Sequence, residues 1–148
     1  MESITNQVCG KGKKMMKVSS ICGLVFSTLL CLGNIVCIRN ITLSGAINDH
    51  KALLIWSLFG LLYSVFAILM FGVGVNYNKA IRNVNILTKL SLVLISLYFI
   101  DLVLAFFINM LGVTEVMMMV ILTILTYLFF KGTVSLRSAL NINESTFD

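Results

Sequence analysis

Four long apolar runs, separated by short polar stretches, organise the chain. They cover residues 19–38, 52–75, 90–111 and 113–133. Each is close to the roughly 20 apolar residues that a helix needs to cross about 30 Å of hydrocarbon. Polar residues fill the interval Arg39–Lys51 and again Asn76–Lys89, while the third and fourth runs meet at a tight turn around Gly112. The pattern predicts an all-α fold, an integral membrane four-helix bundle whose last two helices form an antiparallel hairpin. Residues 1–18 read as a basic tail, 19–136 as the four-pass domain and 137–148 as a second tail.

Charge sets the orientation. Of the 11 Lys and Arg residues, all but Arg39 and Lys51 fall in the amino-terminal tail, the second polar interval or the carboxyl-terminal end. Basic residues are retained on the cytoplasmic side during insertion, so both termini are expected in the cytoplasm. The first run is too long for the apolar segment of a cleaved signal, and Arg39 separates it from the small residues Ser44, Gly45 and Ala46. It therefore reads as an uncleaved anchor.

Composition narrows the class further. The 148 residues are 59% hydrophobic and 11% charged, against about 25% charged in soluble domains, and the mean hydropathy is +1.01. Four spans leave no room for a catalytic domain outside the membrane. Proline is absent, which favours uninterrupted helices and weakens a reading as a transporter built on broken helices.

One residue stands out against this background. Asp101 lies in the middle of the third run, where an ionised side chain costs roughly 2.5–3.5 kcal/mol on insertion scales and should face protein or water. Tyr98, Asp101, Ala105, Asn109 and Gly112 fall three or four residues apart and share one helix face. Thr28, Tyr63, Ser64 and Thr123 lie at a similar depth and can donate hydrogen bonds to the carboxyl; Asn34 and Asn109 can pair toward the outer ends. Three readings of Asp101 follow: a polar clamp between helices, a proton or cation site, or a contact with another protein. No lysine, arginine or histidine shares its depth. The clamp is therefore the preferred reading.

A second stripe, Ser57, Gly60, Ser64, Ala67 and Gly74, runs down one side of the second helix. Small residues let helix backbones approach closely, within one chain or between two copies. Lys11, Lys13, Lys14 and Lys17 are placed to meet anionic lipid, worth about 1 kcal/mol per basic residue, although setting topology is reason enough for them. They are topogenic flanks rather than a nucleic-acid surface. The four cysteines sit at different depths and form no disulfide framework, while Cys9 and Cys22 are open to palmitoylation. The sequons at Asn40 and Asn143 are poorly placed, one against the membrane and the other in the cytoplasm.

The inventory argues against an enzyme. The lone histidine, His50, is in a short loop, and no cluster suits a metal or other cofactor. An intramembrane aspartyl protease requires two facing carboxyls, and Glu115 lies too near the outer turn to partner Asp101. Tyr127-Leu128-Phe129-Phe130, followed by Val134-Ser135-Leu136-Arg137-Ser138-Ala139-Leu140, resembles the fourth-span exit of small four-pass proteins related to the lysosome-associated transmembrane family, in particular its short insect members. The span layout is similar too, whereas the tyrosine- and proline-based tail signals of the mammalian members are missing. The resemblance implies a non-enzymatic adaptor or trafficking protein of endomembranes. The expected function is thus a multi-pass interaction protein in an endomembrane or plasma membrane, with a membrane-protein partner or a second copy. The alternative is a small transporter or channel subunit that uses Asp101.

Overall fold

A computed structural model describes the backbone of residues 2–45, 50–107 and 113–144, and the side chains of these except 2–9, 77, 107, 113–115 and 140–144. The described residues are almost entirely helical: α1 (Glu2–Leu43), α2 (Lys51–Val75), α3 (Tyr77–Arg82), α4 (Val84–Phe107) and α5 (Val113–Glu144). Four of these helices are long and apolar enough to cross a membrane. The chain is an all-α, multi-pass membrane bundle. The turn around Gly112 lies outside the described residues.

Helix boundaries run beyond the apolar runs. The stretch read as an amino-terminal tail is helical from Glu2 and continuous with the first span, giving 42 residues and a rod of about 63 Å. Hydropathy marks what lipid can cover; a helix continues for as long as nothing breaks it, and this one contains no proline. It ends where Gly45 takes a left-handed conformation at φ 68°, a backbone region open to glycine at little cost. Between the second and third spans lies a short helix the apolar pattern does not mark. Asn76 leaves helical geometry and its side chain accepts from the Lys79 amide at 3.3 Å, capping α3. Asn83 then separates α3 from α4, its side chain donating to the Lys79 carbonyl at 2.9 Å.

In the bundle, α1 packs along α2 and α5, while α4 leans on α5 and more thinly on α2. Gly12 and Gly132 bring α1 and α5 together: a β-carbon at Gly132 would lie 3.0 Å from the Met16 amide nitrogen and 3.1 Å from the Gly12 carbonyl oxygen. Residues near the start of the chain thus meet residues near its end, and the termini share one end of the bundle. Phe71 and Phe129 fill the neighbouring core, edge to face with ring centroids 5.6 Å apart. Gly74 leaves room for Phe129 and Ser20, and Gly23 for Phe71. Beside this core a cavity of about 240 Å³ lies between Lys13, Met16, Lys17, Gly74 and Val75, and toward the opposite end are cavities of about 400 and 280 Å³.

Candidate functional site

The polar centre of the bundle is Asp101 on α4, with 0% of its surface exposed. It lies on the inner face of α4, as do Tyr98 and Ala105, both also buried. From α2 the Tyr63 hydroxyl donates to Asp101 Oδ2 at 2.8 Å. This hydrogen bond crosses the thinner of the contacts that hold α4 in place. The carboxyl's other neighbour is the indole N–H of Trp56, which falls short of direct hydrogen-bond geometry; Trp56 Nε1 and Asp101 Oδ1 are both buried without a hydrogen-bond partner. A short movement of the indole would join them.

Aromatic rings frame the carboxyl. Phe59 and Tyr63 meet edge to face at 5.9 Å, and Tyr63 and Tyr98 at 5.3 Å. The Tyr98 hydroxyl lies near Ser27 and Thr126, while its ring packs against Tyr63. The Thr126 hydroxyl donates to the Leu122 carbonyl, and Ser27 Oγ has no hydrogen-bond partner.

The other residues expected at the carboxyl take different places. Thr28 is on the exposed face of α1 and donates to the Leu24 carbonyl at 2.7 Å. Ser64 is buried, but its hydroxyl donates to the Leu61 carbonyl at 2.8 Å. Thr123 bonds the Met119 carbonyl at 2.8 Å and lines a second cavity of about 280 Å³ between α4 and α5. In each case the hydroxyl satisfies itself on its own helix, a bond available at any rotation of the span. The Asn34 amide likewise donates to the Leu30 carbonyl, at 3.0 Å. Asn109, and the side chains of Glu115 and Cys9, lie outside the described residues. Trp56 is the participant that sequence depth alone did not select. Its signal was position: Trp56, Phe59 and Tyr63 fall at i, i+3 and i+7, one face of α2.

The small-residue stripe of α2 is buried along its whole length, at Ser57, Gly60, Ser64, Ala67 and Gly74. Gly60 lies against the Asn34 side chain of α1 and Gly74 against Ser20 of α1 and Phe129 of α5. The Ser57 hydroxyl donates to Cys37 Sγ at 3.2 Å. At Ser57, Gly60 and Gly74 the stripe is therefore occupied within the chain.

Beside the polar centre is a cavity of about 400 Å³ between α1, α2 and α5. Its walls are mostly aliphatic, with Asn34, Cys37 and Ser57 on one side and Trp56 and Tyr63 bordering the carboxyl. At the opposite end of the bundle, Lys11, Lys13, Lys14 and Lys17 of α1 are exposed, as are Lys79, Arg82, Lys131 and Arg137. Among the described residues, no group of three or more His, Cys, Asp or Glu side chains is placed to hold a metal. Together these features define a multi-pass membrane protein in which Asp101 is a buried acid. Comparison with family profiles, curated proteins and solved structures gives no match.

Proposed function

We propose that this chain is a non-enzymatic membrane interaction protein of the adaptor type, in an endomembrane or plasma membrane, with both tails in the cytoplasm. The observation that carries the reading is the use made of Asp101. Its carboxyl is engaged by Tyr63 across the α2–α4 contact, as a clamp that specifies packing would be. Phe71, Phe129 and Leu136 are buried side chains toward the end of the bundle that bears the termini, and apolar bulk there does not favour a path through the bundle. The exposed lysines of α1 suit anionic cytoplasmic lipid, and a trafficking role accords with the resemblance of the fourth-span exit.

Mild extraction of the full chain followed by cross-linking should give a defined complex with another membrane protein. A homogeneous monomer with no cross-linked partner would count against the adaptor reading. The transporter alternative draws on the unpaired Asp101 Oδ1 and the adjoining cavity. Proton or cation flux into proteoliposomes that is abolished by Asp101→Asn would favour it over the clamp.

A further inference from the structure

Asp101 is the only carboxyl at mid-span depth in the chain, and one of its two oxygens has no bonded partner: Tyr63 donates to Oδ2, while Oδ1 is buried and unpaired beside the Trp56 N–H. A buried carboxylate recovers its lost hydration best from a cation held in good geometry, and no basic residue of the chain shares this depth. The groups around it suit an organic cation better than a metal. Trp56 and Tyr63 present aromatic surfaces, which attract ammonium groups. Calcium, by contrast, requires six or more oxygen ligands. Trp56 and Tyr63 also border the cavity, whose remaining wall is largely aliphatic.

We propose that the cavity between α1, α2 and α5, together with Asp101, is a binding site for a lipophilic amine: one protonated nitrogen on an apolar body. The apolar body occupies the volume of about 400 Å³, within the 300–1,000 Å³ typical of small-molecule sites. A small turn of the Trp56 indole admits the nitrogen to Asp101 Oδ1, while Tyr63 keeps its bond to Oδ2. A neutral lipid tail would fill the same space and leave Oδ1 to the neutral indole N–H of Trp56 alone. Charge is what distinguishes the proposed ligand. The site stands apart from the adaptor reading, because it can be filled whether or not a protein partner is bound.

Trp56 is the single tryptophan of the chain, so its fluorescence reports on the site directly. The test titrates the purified full-length protein, in nonionic detergent near neutral pH, with phenylbutylamine, its N,N-dimethyl and N,N,N-trimethyl derivatives, and the neutral analogue phenylbutanol. At least one amine should give a saturable change in Trp56 emission, with phenylbutanol binding about tenfold or more weakly. Asp101→Asn, which keeps an acceptor for Tyr63, should abolish the preference for the amine with an unchanged melting temperature. If Asp101→Asn does not fold, wild-type preference for amine over alcohol, with competition between the amines, carries the test. Equal responses to amine and alcohol, no saturable response to any amine, or full amine preference in a folded Asp101→Asn protein would overturn the proposal. None of these outcomes bears on whether a protein partner co-purifies.

Discussion

At the scale of single residues, Asp101 and Tyr63 form the pair that can be tested most directly. Tyr63→Phe removes the donor to Oδ2 and leaves that buried oxygen unsatisfied, and should cost about 1–3 kcal/mol. Asp101→Leu removes the acceptor and leaves a buried tyrosine hydroxyl unsatisfied, with a loss of similar size, about 1–3 kcal/mol. Asp101→Asn should be the mildest of the three. Equilibrium unfolding in detergent, followed by Trp56 emission, measures all of them; Asp101→Leu as stable as wild type would sink the clamp. Sequence made Asp101 and Tyr63 legible through depth and residue type. It did not tell Thr28 from Ser27, because every face of an apolar span looks alike until the neighbouring helices are known. Ser27 faces the core and Thr28 the exterior, a distinction fixed by the rotation of α1 and invisible to hydropathy.

Among the helices, α1 and α5 approach backbone to backbone at Gly12 and Gly132. The atoms that a β-carbon at Gly132 would approach include backbone nitrogen and oxygen, which cannot turn aside as a side chain can. Gly132→Val should therefore force the helices apart and lower stability by about 1–3 kcal/mol. A β-carbon at Gly33 would meet nothing within 4 Å. Gly33→Ala should therefore be neutral, or stabilising by up to about 1 kcal/mol through helix propensity. Thermal unfolding of the two variants side by side checks the contrast; equal effects would mean that the contact at Gly132 is not close. The stripe from Ser57 to Gly74 was readable as a packing face from spacing alone. Which helix it meets was not, since small residues invite any backbone, and only the assembled bundle shows α1 along it.

For the molecule as a whole, hydropathy gave the span count, and the charge pattern gives an orientation that can be mapped. In sealed vesicles with the cytoplasmic face outward, an epitope placed between Asn76 and Asn83 should be open to added protease, together with both tails. An epitope at His50 should be protected in the same vesicles and cut only after detergent is added. Cleavage at His50 and at the tails from one side would contradict the four-pass topology. The packing order was beyond the sequence, because four runs of comparable hydropathy can be arranged around a core in more than one way. What selects this arrangement is fit at Gly12, Gly74 and Gly132 together with the side-chain bridges at Asp101 and at Ser57–Cys37.

The unbroken α1 helix has a mechanical consequence. Its later portion, from Leu29 to Cys37, forms part of the cavity wall, and its earlier portion meets α5 at Gly12. Without proline the helix keeps its hydrogen-bonded backbone continuous over that length. One continuous helix is thus held at both ends, by the backbone approach at Gly132 and by the Ser57–Cys37 hydrogen bond, so the wall of the cavity and the lysine-bearing end belong to a single element.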